Sequence, residues 1–243
     1  MQAERLSLNQ PTTHLPDACL FDLDGLLLDT EPLHARAWQQ AASHFGSDLM
    51  PDQLIQLQGR RRLDNARLVC SWIEQPITPD QLLAVRQPIA AQLLPGAKAM
   101  DGAESLVRTA QRSGIATALV TSSDRASVRH KIDNHPWVNH LQLMVCGDDP
   151  DLKAGKPAPD PFLLGSDRLR VKPEECWAFE DSRAGCESAL AAGCLVWRLL
   201  RTTEIADQLD PGEQDLLQSD RLVSINQLSE AQHCLESVVS KDD

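Results

Sequence analysis

The sequence predicts an α/β fold, a doubly wound parallel-sheet core with a small inserted α-helical cap, and three observations carry that prediction. Short apolar runs recur along the chain and stop abruptly at acidic or small polar residues. Between them lie helix-length segments with apolar residues at three- and four-residue spacing. One stretch, 32–94, carries helical periodicity throughout and contains no convincing strand.

The first apolar run, 18–21, ends in Asp22-Leu23-Asp24-Gly25, as a buried strand running into a loop does. The helical stretch follows, with Leu33, Ala37, Trp38, Ala41 and Phe45 on one period, and the turn dipeptide Pro95-Gly96 marks its return to the core. Three more strands are expected at 115–120 before Thr121-Ser122-Ser123, at 141–146 before Gly147-Asp148-Asp149, and at 176–179 before Glu180-Asp181-Ser182. Helical patterns such as Ala103-Leu106-Val107-Ala110 and Gly185-Ala189-Leu190 alternate with these strands, and alternation implies a parallel sheet. A fifth strand at 194–200, a last strand at 222–225 and a closing helix at 227–238 complete the core, while 202–220 is polar and acidic with a weak signal. The expected division is a core of 17–31 and 95–243, a helical cap of 32–94 and an N-terminal extension of 1–16. In such sheets ligands bind beyond the carboxyl ends of the strands, where all the polar punctuation falls.

Composition narrows the function. The 243 residues, 42% hydrophobic and 24% charged, suffice for one core and a small insertion. A formal charge of -12, with no Lys/Arg stripe interleaved with aromatics, excludes a nucleic-acid partner. The seven cysteines form an odd set without a CxxC pair, which fits reduced thiols in a reducing cytoplasm. Residues 1–16 lack the apolar stretch of a signal peptide, and no later run is long enough to span a bilayer. The expectation is a cytoplasmic protein without membrane contact, a monomer or weak homodimer.

The phosphate enters through the acids. Asp22 and Asp24 are two apart at a strand end, so both carboxylates point into one cavity, where they repel unless a cation compensates. Glu180 and Asp181 at another strand end add two more, and such a cluster suits magnesium, a hard ion that prefers oxygen ligands and shares them with phosphate. Lys156, framed in Gly155-Lys156-Pro157-Ala158-Pro159, supplies a compact cation, and Thr121 with the Ser122 and Ser123 amides, read as opening the next helix, supplies donors for phosphate oxygens. Glu180-Asp181-Ser182 also has the composition of a helix start. His130, His135 and His140 match no metal motif.

Phe21-Asp22-Leu23-Asp24-Gly25-Leu26-Leu27-Leu28-Asp29-Thr30, Thr121, Lys156 and Glu180-Asp181-Ser182 together resemble the ordered motifs of the haloacid dehalogenase (HAD) superfamily, with its Rossmann-like core. The likeness runs from about residue 17 to 200, and the helical insertion after the first motif resembles the subgroup of beta-phosphoglucomutase and pseudouridine-5'-phosphatase. The resemblance implies that Asp22 is the nucleophile and that Asp24 protonates the leaving group and then deprotonates water. It also implies that Asp22, the Asp24 backbone carbonyl and Asp181 hold magnesium, with Glu180 helping. His34, at the start of His34-Ala35-Arg36-Ala37-Trp38, together with Gly59 and Arg62, resembles the substrate-binding positions of a mutase cap. By contrast 118–124 and 147–150 with Lys156-Pro157 resemble phosphatases more closely. The reading is therefore a magnesium-dependent phosphatase acting on a small phosphorylated metabolite, a sugar or polyol phosphate or a nucleotide-like ester, through an aspartyl-phosphate intermediate, its nearest rival a sugar phosphate mutase. A dehalogenase is disfavoured because Asp24 is present, and a non-catalytic phosphometabolite-binding module because Asp22, Asp24, Lys156 and Asp181 are all intact.

Overall fold

The structure, a computed structural model, describes residues 14–57, 62–200 and 216–242. Most of the N-terminal extension, Gly59 with Arg60 and Arg61, and most of 202–220 lie outside the described residues.

The core sheet is built from β1 (Ala18–Phe21), β4 (Ala116–Val120), β5 (Leu143–Val145), β6 (Cys176–Glu180), β7 (Leu195–Leu199) and β8 (Leu222–Ile225). Their order is β5-β4-β1-β6-β7-β8, and every pairing is parallel. Helices cover both faces, which is why the central strands read as unbroken apolar runs rather than alternating ones. Cys19 and Phe21 of β1 face α5 (Ala103–Arg112) and α9 (Leu228–Asp242), in a cluster that includes Trp177, Phe179 and Trp197. Phe21 stacks on Phe179 with ring centroids 4.8 Å apart. Ala18 and Leu20 face the other side, with Phe162 of α7 (Asp160–Leu169) and Ala189 of α8 (Arg183–Ala192). Burial of these side chains is the main source of the sheet's stability.

The strands expected at 18–21 and 222–225 coincide with β1 and β8, and β5 is shorter than the 141–146 run. One element is absent from the sequence reading: β2 (Leu28–Asp29) pairs antiparallel with β3 (Lys98–Ala99), tying together the two ends of the helical stretch. Met100 N–H donates to the Leu27 carbonyl at 3.0 Å and extends this tie. At two residues each, these strands are too short to show a period.

Between them lie α1 (Glu31–His44), α2 (Pro51–Ile55), α3 (Arg62–Trp72) and α4 (Pro79–Leu93), packed around their own cluster of Trp38, Ala41, Ala66, Val69 and Leu82. α4 starts with a reciprocal pair: the Thr78 hydroxyl accepts from Gln81 N–H at 3.2 Å, and the Gln81 side chain accepts from Thr78 N–H at 2.8 Å. Pro88 inside α4 has no N–H to return to the preceding turn, so the helix is locally weakened near its inner wall. Among the described residues, no helix is long and apolar enough to cross a membrane.

Candidate active site

The site forms beyond the carboxyl ends of β1, β4 and β6. Asp22 follows β1 directly, and its N–H donates to the Phe179 carbonyl at 3.0 Å, which fixes the carboxylate beside the end of β6. Gly25, at φ 89°, then turns the chain back, and its N–H donates to the Leu28 carbonyl at 2.8 Å. Asp22, Asp24, Thr121, Ser122, Ser123, Lys156, His34 and Arg62 all line one cavity of about 1330 Å³. Of the substrate-binding residues expected from sequence, Gly59 alone lies outside the described residues.

Lys156 is the hub. Its Nζ donates to Asp22 Oδ1 at 2.6 Å, to Glu180 Oε1 at 2.5 Å and to the Val120 carbonyl at 2.8 Å, which uses all three ammonium protons. Burial opposes its charge, but Asp22 and Glu180 overcome that and raise its pKa. The carboxylates respond differently. Burial pushes Asp22 up to about 6; Lys156 opposes this while Asp181 and Asp24 reinforce it. Burial likewise pushes Glu180 up to about 7 against the pull of Lys156.

Both Glu180 oxygens are engaged by the protein. Oε1 takes the lysine, and Oε2 accepts from the Ser182 hydroxyl at 3.1 Å. The arrangement depends on Gly185, since a Cβ there would lie 2.0 Å from the Glu180 carboxylate. Ser182 meanwhile begins α8, its side chain accepting from Gly185 N–H at 3.1 Å, so the acidic tripeptide does start a helix.

Asp24 has its own cation. Lys131 of α6 (Arg125–Ile132) is 2% exposed, and its Nζ donates to both Asp24 oxygens and to the Ser123 hydroxyl, each at 2.7 Å. The Ser123 hydroxyl in turn donates to Asp24 Oδ2 at 2.8 Å. Burial pushes Asp24 upward, yet Lys131, His34 and Ser123 outweigh it and hold the carboxyl below its ordinary range.

The loop after β4 differs from the sequence reading in one respect. α6 does not open at Ser122 and Ser123: its first turn is capped by Asp124, which accepts from Ser127 N–H at 2.8 Å. Asp124 wins because its carboxylate also accepts from the Ser127 hydroxyl at 2.7 Å. Ser123 N–H is donated to Thr121 Oγ1 at 3.1 Å, leaving the threonine hydroxyl proton to be donated elsewhere. This loop sits tight against Gly147, where a Cβ would come 2.2 Å from the Ser122 carbonyl oxygen.

The residues present fit a magnesium ion. Carboxylate oxygens of Asp22, Glu180 and Asp181 lie within 4.8 Å of one another, an all-oxygen set of the kind a hard cation prefers. Asp22, Asp24, Glu180 and Asp181 bring four formal negative charges, and the two buried lysines offset two. The remainder equals the charge of one divalent ion.

The profile of the haloacid dehalogenase-like hydrolases matches residues 16–193. The chain belongs to the haloacid dehalogenase-like hydrolase family. Hexitol phosphatase A of Escherichia coli strain K12 is 34% identical over 180 residues, 73% of this chain and 80% of that protein. "Probable pseudouridine-5'-phosphatase" of Drosophila melanogaster is 34% identical over 182 residues, 73% of this chain and 79% of its own. A HAD hydrolase of family IA, variant 3, from Entamoeba histolytica shares the fold with a TM-score of 0.69 and 26% identity, covering 92% of this chain and 99% of that one.

Three groups at the cavity escaped the sequence reading: Lys131, Arg86 and Asn65. Lys131 follows Val128 by three residues on the buried stripe of α6, and that spacing is its only signal. Arg86 sits within the apolar pattern of α4 in the same way.

Proposed function

We propose that this member of the family is a magnesium-dependent phosphatase of small phosphomonoesters, working through an aspartyl-phosphate on Asp22 in a reducing cytoplasm. The observation that carries the reading is the pair of separately compensated acids: Asp22 is paired with Lys156, and Asp24, two residues on, with Lys131. Environments that push two carboxyls apart in pKa mark different chemical roles. The names of the hexitol and pseudouridine-5' phosphatases support a phosphorylated polyol, sugar or nucleoside as substrate.

In this reading an Asp22 oxygen attacks phosphorus while the ester P–O bond breaks and the leaving alkoxide takes a proton from Asp24. Asp24 then takes a proton from water, the water oxygen attacks phosphorus, and Asp22 leaves as a carboxylate with inorganic phosphate released. Lys131 and Ser123 hold Asp24 ionised, so it acts as the acid only after it has turned from them and taken up a proton from solvent. Lys156 fixes the orientation of the Asp22 carboxylate, and Thr121 donates its hydroxyl to a phosphate oxygen. Asp22, the Asp24 carbonyl and Asp181 would hold magnesium, which when bound would supply charge neutralisation for the phosphate. Helices α1 to α4 act as a cap that closes over the substrate and admits the hydrolytic water. The seven free thiols, six of them buried, suit the proposed compartment.

Phosphate release and glucose 6-phosphate formation from β-glucose 1-phosphate, glycerol 3-phosphate and a nucleoside monophosphate, with magnesium or chelator, test the proposal. Magnesium-dependent release that disappears in Asp22→Asn is expected. Isomerisation of the sugar phosphate without free phosphate overturns it in favour of a mutase.

A further inference from the structure

Helices α1 to α4 join the core through two linkers, and the two are held differently. The first, 28–30, ends at Thr30, which is fully buried; its hydroxyl has no hydrogen-bond partner, and its carbonyl accepts from Leu33 N–H at 3.2 Å and His34 N–H at 2.9 Å, so it belongs to the first turn of α1. The second, 94–99, begins with a single 3₁₀ turn, Leu94–Gly96, and side chains of the core hold it from outside. Asn134 Nδ2 donates to the Pro95 carbonyl at 2.9 Å, and His135 Nε2 donates to the Ala97 carbonyl at 2.8 Å. A carbonyl only accepts, so Nε2 of this ring carries a proton. His135 is 9% exposed and Ala97 5%, so loss of this donor leaves a buried carbonyl unpaired.

Both residues follow α6 directly, and α6 carries Lys131. One turn before the clasp, the Lys131 ammonium spends its three protons on the two Asp24 oxygens and the Ser123 hydroxyl. The start of α6 is fixed as well, by Asp124 at its cap and by Asp148, which accepts from Arg125 N–H at 2.9 Å. With that end anchored, a displacement of the second linker falls on the last turn, where Lys131 sits. In the proposed mechanism Asp24 has two positions, against Lys131 or turned toward the leaving group, and such a coupling needs an element with two arrangements.

We propose that Asn134 and His135 are positioning residues: they lock the second linker of the cap to the end of α6, so that the placement of the cap sets where Lys131 stands against Asp24. This deepens the phosphatase reading and rests on it for the role of Asp24 alone. The clasp itself is a statement about residues 94–99 and α6.

Kinetics and amide hydrogen exchange on the full chain test the proposal. With magnesium and the three esters named above, His135→Leu is expected to lower kcat about fivefold, the scale of one neutral hydrogen bond, with a smaller change in KM. His135→Gln, which keeps an N–H donor, should recover most of that loss. In Lys131→Met the same His135→Leu change is expected to lower kcat by less than about twofold, because the two residues act on Asp24 in series. Asn134→Ala, at an exposed position that does not endanger folding, should reproduce the pattern more weakly. Exchange needs no turnover: in Asn134→Ala and His135→Leu the amides of 94–100 should exchange faster relative to those of 103–112, and Lys131→Met should speed 94–100 in the same way, since coupling is reciprocal. That pattern of exchange with no phosphate released from any ester sinks the phosphatase reading and upholds the clasp. Phosphate release with kcat losses that multiply in the double variant, or exchange that quickens equally in 94–100 and 103–112, overturns the clasp and leaves the phosphatase.

Discussion

Two buried lysines do different work. Lys156 lies between Asp22 and Glu180 from a loop whose Gly and Pro residues mark it in the sequence, and the ordered motifs around it point to a phosphate site. Lys131 carries no such mark. On an amphipathic helix a cation next to Val128 and Ile132 reads as a solvated residue with a long stem, because periodicity reports where apolar groups fall and not which polar group follows them inward. Lys131→Met keeps the volume and removes the charge, leaving Asp24 with the Ser123 hydroxyl as a side-chain donor. Breaking a buried pair in this way is expected to cost about 3 kcal/mol in urea unfolding. The kcat should fall by more than KM rises, because in the proposed mechanism Asp24 acts on the reacting oxygens and contributes little to ground-state binding. Lys131→Arg, with charge but a different donor geometry, should recover stability better than kcat. An unchanged kcat in Lys131→Met would show that Asp24 needs no clamp.

At the scale of elements, the strands were legible and the devices that bring them to one point were not. An apolar run bounded by acids fixes a buried strand and its carboxyl end, so 18–21, 176–179 and 222–225 fell where β1, β6 and β8 lie. The β2 and β3 pair that closes the base of the helical stretch has no period to detect, and the α6 start shifted because Asp124 competes better than Ser122 for the free amides. Two glycines set spacings that no pattern shows. Gly147→Ala places a Cβ against the Ser122 backbone carbonyl, so the β5 and β4 loops must separate; a loss of about 1–3 kcal/mol and a weaker phosphate affinity are expected. Gly185→Ala meets the Glu180 side chain instead, and is expected to raise the magnesium concentration needed for half-maximal activity more than it lowers stability. Thr78→Ala, which removes the hydroxyl that opens α4, should cost about 1 kcal/mol without altering magnesium dependence. Reversal of that contrast between Gly185→Ala and Thr78→Ala, measured by thermal unfolding and magnesium titration, would count against Glu180 as the support of the metal-binding carboxylates.

For the whole molecule, charge is the governing quantity. The chain carries a formal charge of -12 and gathers Asp22, Asp24, Glu180 and Asp181 at one end of the sheet, the first two lining the cavity, so folding without a divalent ion concentrates repulsion that the two lysines offset only in part. Asp22 rises from 3.8 to about 6 and Glu180 from 4.5 to about 7, so between roughly pH 4 and 7 the folded protein retains protons that the unfolded chain has released. Stability with chelator present should therefore be greatest toward the acid end of that window and decline as pH rises through it. Lys156 is protonated in both states across this range and leaves the slope unchanged; His34, lowered by burial from 6.5 to about 4, acts in the opposite sense between about pH 4 and 6.5 and offsets about half of the decline, and the lowered Asp24 does so only below about pH 4. In the proposed reading magnesium competes with the proton on Asp22 and with that on Glu180 beside it, so its effect on the melting temperature should be small at pH 5.5 and several degrees larger at pH 7.5. Asp22→Asn removes one of the two carboxyls that retain protons and should flatten the chelator-side slope while shrinking the magnesium shift. A magnesium shift of equal size at both pH values would place the ion away from Asp22 and Glu180, and the two lysines would then be the whole of the site's compensation.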